Sequence, residues 1–293
     1  MVFFALVWLV SVLMLTVVGL GFAITVPMMR RRIPDEPDQP PLHGMSCETV
    51  TFTTRDDLTL AGWWIPAQGA ALGTVILVPG QNGSMDSDIP QARPLHEAGF
   101  NVLMFDLRAH GGSEGDLVTW GVLEQLDLMA ALDYVQSAHN VDRVGILGFS
   151  MGSAVGLMVA AQDERIAALV LDGAYPRLAG ILTGWGRLKG LPGVLAHGVT
   201  WTTLLIGSLR ARYQLYRANP VDLAGDVTIP ALFIHGEQDP FVSWEALEPL
   251  TEHMAGPVDV WRVPEAGHRE AFEQQPDEYN RRVIAWFTQH LAG

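Results

Sequence analysis

The sequence predicts an α/β protein. The expected fold is a mostly parallel central sheet with helices on both faces, opened by a hairpin, interrupted late by a helical insertion and preceded by one long apolar helix. Three observations predict it. From residue 46 onward, short apolar β-type runs alternate with stretches of helical spacing, the pattern of a parallel sheet buried on both faces. Residues 176–218 separate two of the later runs, a stretch too long for a simple connection. Residues 2–29 contain no charged side chain.

Composition bounds the rest. A chain of 293 residues, 49% of them apolar, supplies the core of one large α/β domain plus an accessory segment and is not disordered as a whole. A net charge of −14 argues against a nucleic-acid surface. The single cysteine, Cys47, excludes an intrachain disulfide, fits a reducing compartment and reads as structural.

The apolar run comes first. As a helix it would extend about 40 Å, more than the roughly 30 Å hydrocarbon core of a bilayer. A cleaved secretory signal carries basic residues ahead of a shorter apolar stretch and a small-residue cleavage site after it. Neither flank is present here, so residues 1–29 read as a retained transmembrane anchor. Arg30, Arg31 and Arg32 follow it directly and nothing basic precedes it, which by the positive-inside rule puts the C-terminal side in the cytoplasm. Residues 30–46, with Pro34, Pro37, Pro40 and Pro41, read as a basic, proline-rich, semi-rigid linker. The folded domain is then 47–293.

Within that domain, residues 49–54 and 58–65 read as a hairpin joined at Arg55, Asp56 and Asp57. Buried strands follow at 74–79 (TVILVP), 101–106 (NVLMFD), 143–148 (RVGILG) and 166–172 (IAALVLD), with two more at 231–235 and 258–263. Helical spacing marks 121–136, 150–162 and 277–290.

The segment GFSMG at 148–152 matches G-x-S-x-G, but so does GGSEG at 111–115, and context separates them. The motif works when a sharp strand-to-helix turn presents the serine hydroxyl above the sheet. Ser150 has a strand before it and a helix after it, whereas Ser113 lies between loops and reads as a turn residue. The Met151 N–H at that helix N-terminus is a candidate oxyanion donor. The loop after TVILVP supplies a second, Gln81 N–H or alternatively Asn82. Serine needs a general base oriented by a carboxylate. His268 follows the last strand, at the sheet edge where catalytic loops gather. His235 and His110 read as turn residues and the remaining histidines as solvated or structural. Asp239, just past the next-to-last strand, is the candidate acid, with Asp172 the runner-up. Asp106 precedes the nucleophile and is out of order. The chain order is Ser150, Asp239, His268.

With these motifs in order, about residues 47 to 293 resemble the α/β-hydrolase superfamily. The resemblance rests on GFSMG, PGQNG (79–83), FDLRAHGGSEG (105–115), HGEQDPFV (235–242) and AGH (266–268), and is greatest to small, single-pass bacterial members. Two positions depart from the family pattern: Pro79 replaces a histidine before the oxyanion-loop glycine, and Ala109 replaces a glycine before His110. Relatives that cleave halides or open epoxides use an aspartate nucleophile, so Ser150 argues against both chemistries. The resemblance implies a lid at residues 176–218. Between Gly173 and Val221 there is no acid, against six bases. Its apolar residues, with Trp185, Trp201 and Leu204 as substrate-facing candidates, suit either a lid on an anionic membrane surface that admits an acyl chain or a lid that packs on its own core with its arginines solvated. The expected activity is hydrolysis of a carboxylic ester or thioester through an acyl-enzyme, with a small-molecule or lipid-like substrate and no metal or organic cofactor. A serine peptidase on the same fold and a non-catalytic, membrane-tethered binding protein are the alternatives.

Overall fold

The computed structural model describes residues 1–32 and 38–291. Eight strands form one sheet: β1 (Glu48–Thr53), β2 (Thr59–Ile65), β3 (Thr74–Val78), β4 (Asn101–Phe105), β5 (Val144–Phe149), β6 (Ile166–Asp172), β7 (Ala231–Gly236) and β8 (Val258–Val263). Their spatial order is β1-β2-β4-β3-β5-β6-β7-β8. The β1–β2 and β2–β4 pairs are antiparallel and every later pair is parallel. The helices are α1 (Val2–Met28), α2 (Ile89–Glu97), α3 (Glu124–His139), α4 (Met151–Ala160), α5 (Leu178–Leu188), α6 (Gly193–Ala211), α7 (Trp244–His253), α8 (Ala271–Gln274) and α9 (Pro276–Leu291).

The two-sided core follows from strand alternation. In β3 every residue is buried, yet successive side chains leave on opposite faces. Val75 and Leu77 join Leu95 of α2 and Phe287 of α9, while Ile76 and Val78 join Leu128 of α3 and Val155 of α4. This is why the central strands read as unbroken apolar runs. Helix α4 is apolar on all sides and nine of its ten residues are buried, because it packs on the sheet and against α3 and the Pro220–Asp222 turn. Helix α3 ends where Asn140 adopts the left-handed conformation, a C-terminal stop that asparagine tolerates.

Three helices escape the periodicity reading: α2, α7 and the four-residue α8. Helix α2 carries Pro94 and has Pro90 in its first turn, and α7 contains Pro249. The 176–218 segment forms two helices, α5 and α6, tied by the Thr183 hydroxyl at 3.0 Å from that of Thr200.

Helix α1 is the one described helix long and apolar enough to cross a membrane. Its N-terminal half stands exposed, but from Val17 onward it lies along α6. The Thr202 hydroxyl approaches the Val17 carbonyl at 3.3 Å, and Thr25 Oγ1 lies 3.3 Å from the Thr203 carbonyl. Gly21 permits this approach: a Cβ there would come within 2.6 Å of Thr202 Oγ1 and 3.1 Å of the Thr203 nitrogen. Beyond the helix, the Arg32 N–H donates to the Ala109 carbonyl at 2.7 Å, and the Arg31 guanidinium donates to the carbonyls of Gly111 and Gly115. Residues 30–32 are thus pinned to the loop after β4 rather than extended away from the domain. Of the four linker prolines, Pro34 and Pro37 lie outside the described residues. Pro40 and Pro41 open a short 3-10 turn, Pro40–His43, and Met45 just beyond it is buried in the core.

Candidate active site

The chain runs from β3 outward to β4 on one side and from β5 toward β8 on the other. The sheet's order therefore reverses between β3 and β5, and open α/β sheets bind ligands at such a reversal. The loops that leave β3, β5, β7 and β8 all emerge at this carboxyl edge, and they carry Gln81, Ser150, Asp239 and His268.

Ser150 sits between the last residue of β5 and the first of α4 with φ 50° and ψ −107°. A non-glycine residue at positive φ is strained and persists only where its surroundings impose it. Here the imposing contacts are visible. The Ser150 N–H donates to the Asp172 carbonyl at 2.8 Å, and the Ser153 hydroxyl donates to the Gly148 carbonyl at 2.7 Å. Gly152 packs against the Val78 carbonyl so closely that a Cβ would overlap it. The glycines of the motif are thus required by backbone proximity.

His268 Nε2 lies 2.8 Å from Ser150 Oγ, and His268 Nδ1 lies 2.6 Å from Asp239 Oδ2. The other Asp239 oxygen accepts the N–H groups of Phe241 and Val242 at 2.8 and 3.0 Å. Burial pushes the Asp239 carboxyl up, but the bond to His268, its charge and these two backbone donors outweigh burial and hold it below the ordinary carboxylate range. The three residues expected to act together are therefore joined in one hydrogen-bonded chain. Asp172, the runner-up acid, instead accepts the Tyr279 hydroxyl at 3.0 Å, and burial pushes its carboxyl up to about 6. Ser113, the second motif match, is fully buried. Its hydroxyl donates to the Asp106 carbonyl at 2.6 Å and accepts the Ala61 N–H at 2.9 Å.

Among the described hydrogen bonds, neither the Met151 N–H nor the Gln81 N–H is engaged by another group. The Gln81 carbonyl lies 2.8 Å from His110 Nε2, whose other ring nitrogen lies 2.8 Å from the Arg108 carbonyl. His110, which reads as a turn residue in the sequence, also clamps the loop that carries Gln81.

Ser150 and His268 open into a cavity of about 600 Å³. Its walls are mostly apolar and come from three places: Trp120 and Tyr175 from loops, Ile181 and Trp185 from α5, and Ile24 and Met28 from α1. Of the insertion residues expected to face substrate, Trp185 lines the cavity. Trp201 and Leu204 do not: Trp201 points outward on α6 at 49% exposure, and Leu204 is buried in the packed core. Helical rotation separates them, since one side of α6 packs and the other is exposed. Arg269 also lines the cavity. It donates to Asp88 at 2.7 Å and stacks over the Phe149 ring at 4.4 Å. Like Ser150, both Trp120 and Arg269 hold positive φ, at 57° and 63°. The contribution of α1 is absent from any sequence motif. Trp120, Tyr175 and Arg269 likewise belong to none, and strain of the kind seen at Trp120 leaves no mark in composition. Among the described residues no group of three or more His, Cys, Asp or Glu side chains is placed to hold a metal ion.

A family model described as alpha/beta hydrolase fold matches residues 73–187. An uncharacterized protein of Escherichia coli strain K12, YfhR, is 30% identical over 248 residues, covering 82% of this chain and 80% of its own length. A putative carboxymethylenebutenolidase of Methylorubrum extorquens is 24% identical and covers 94% of this chain and 91% of its own. Among solved structures, an esterase from Pyrococcus furiosus superposes with a TM-score of 0.76 at 26% identity, covering 89% of this chain and 98% of that one.

Proposed function

The chain belongs to the α/β-hydrolase family, and we propose that it is a serine hydrolase cleaving carboxylic esters or thioesters of apolar acyl chains at a membrane. The observation that carries this reading is the 2.8 Å approach of His268 Nε2 to Ser150 Oγ, with Asp239 behind the imidazole. In the reaction, His268 takes the Ser150 proton as Oγ attacks the substrate carbonyl. The Met151 and Gln81 N–H groups hold the resulting oxyanion. His268, now an imidazolium stabilised by Asp239, gives its proton to the leaving alcohol or thiol as the acyl-enzyme forms. Water, deprotonated by His268, then attacks the acyl-enzyme carbonyl, and the proton returns to Ser150 as the carboxylic acid departs. The apolar cavity beside Ser150 suits an acyl chain.

The membrane part of the reading rests on α1. Residues 2–16 stand free of the domain, about 22 Å of helix, which falls short of the roughly 30 Å core of a bilayer. A spanning α1 would therefore draw the nearest part of the insertion into the lipid. That part is the α5–α6 turn, where Leu188 and Val194 are exposed at 56% and 88% and the neighbouring Arg187 and Lys189 suit anionic headgroups. By the positive-inside rule, this reading gives the catalytic domain a cytoplasmic orientation through Arg30 to Arg32.

A fluorophosphonate probe tests the chemistry. Labelling of the wild-type protein that disappears in Ser150→Ala is expected, and labelling that survives in the variant would refute the assignment. For the membrane reading, the protein should stay with the membrane pellet after alkaline carbonate extraction, and release into the supernatant would refute it.

A further inference from the structure

We infer that the last two turns of α1 form a wall of the acyl site, so that the helix that anchors the enzyme also selects its substrate and is kept in the mature protein. The inference rests on the hydrolase reading and adds the element that sets chain length. The cavity reached by Ser150 and His268 is bounded on one side by Ala23, Ile24, Pro27 and Met28. Their spacing places Ile24 above Met28 and Ala23 above Pro27 along the helix. These residues are not in passing contact with the domain. Gly21 lets the helix approach α6 at the distance of touching backbones, Thr25 is buried in the seam, and Met29 at the end of the helix is 1% exposed within the main core. Ile24 also lines a second, small recess with Leu182, Trp185 and Thr203, so its side chain stands where α1, α5 and α6 meet. Removal of α1 as a cleaved leader would open the cavity on that side and expose the apolar seam of α6. The four wall residues carry no charge, and the two guanidinium groups that also line the cavity are engaged elsewhere, Arg32 with the Met28 carbonyl and Arg269 with Asp88, so the chemistry this wall accepts is an alkyl chain leading away from Ser150.

The test compares hydrolysis of p-nitrophenyl acetate, butyrate, octanoate and laurate by the full-length enzyme in detergent. Ile24→Trp fills the site and should lower kcat/KM for laurate relative to acetate by about tenfold or more, the loss expected when a few methylene groups are excluded. Ile24→Ala should move the optimum toward longer chains. Val26→Trp, exposed and outside the cavity lining, should leave the profile unchanged. A laurate-to-acetate ratio that stays constant in both Ile24 variants would overturn the inference. Retained fluorophosphonate labelling in each variant shows that Ser150 and its surroundings are intact. Failure of the hydrolase reading shows differently, as no ester turnover and no labelling in the wild-type protein. In that event the wall is read from binding of a fluorescent fatty acid, whose affinity must fall in Ile24→Trp, and equal affinity would overturn it. Mass spectrometry of the protein isolated from membranes must also find the peptide containing Ile24, and its absence would refute retention.

Discussion

Replacement of Asp239 by asparagine isolates what the carboxylate contributes. One Asp239 oxygen accepts two backbone N–H groups, from Phe241 and Val242, and the other faces His268 Nδ1 at 2.6 Å. In Asp239→Asn the two backbone donors retain the amide oxygen on their side, since an NH₂ group placed there would meet only donors. The NH₂ is then turned toward His268 and donates to Nδ1. The ring must carry its proton on Nε2, which faces Ser150, and in that tautomer it cannot accept the serine proton. The expected loss in kcat is roughly 10³–10⁴-fold, or about 4–5.5 kcal/mol of transition-state stabilisation. The fold should survive, because the backbone hydrogen bonds of the 239–242 turn are kept. The assay is steady-state hydrolysis of a p-nitrophenyl ester, with thermal melting as the control. A variant that melts like the wild type and keeps kcat within tenfold would refute the role of Asp239 and return Asp172 to consideration.

Three further outcomes follow from the same contacts. Ser113→Ala should lower stability by about 1–3 kcal/mol, read by denaturant unfolding, because a buried N–H of Ala61 and the Asp106 carbonyl both lose their partner, while probe labelling at Ser150 persists. Asp172 has a folded-state pKa near 6, raised by burial from an ordinary 3.8. The native protein therefore holds this proton where the unfolded chain has lost it, and this group makes stability fall as pH rises from about 4 to about 6. Asp172→Asn should flatten that part of a melting-temperature profile, and an unchanged slope would contradict the assignment. Gly21→Leu should cost about 1–3 kcal/mol through overpacking against Thr202 and Thr203, visible as a lower Tm in detergent, and an unchanged Tm would contradict the close α1–α6 seam.

Much of this architecture was legible in the residues. The parallel strands betrayed themselves as apolar runs because both faces of the sheet are covered. Ser150 stood apart from Ser113 because only one match of the motif lies between a strand and a helix, and the structure gives the physical reason in the positive φ of Ser150 and the backbone approach at Gly152. Helices α2 and α7 were less legible, since Pro94 and Pro249 lie where proline interrupts a helical pattern. The substrate-facing side of the insertion was partly misjudged. Trp185, Trp201 and Leu204 are all apolar, and apolarity alone does not distinguish a cavity wall from a packed seam or an outward face. The same limit hid α1. A charge-free run announces a membrane helix, but the small residues that let its C-terminal half dock on α6, Gly21 and Thr25, are equally at home in a helix surrounded by lipid.

The ordering of the sheet has a consequence for when the protein becomes active. The residues around Ser150 come from loops spread between Gln81 and His268, and the strand before His268 is the last to be added at the far edge of the sheet. During synthesis α1 emerges ahead of all eight strands, and His268 follows the last of them. Pairings between segments so distant in sequence form late in folding. A nascent or partly folded chain that has already formed α1 therefore still lacks His268 beside Ser150. On the serine-hydrolase reading proposed above, hydrolytic competence therefore marks the completion of the whole domain, since His268 reaches Ser150 only once β8 has docked.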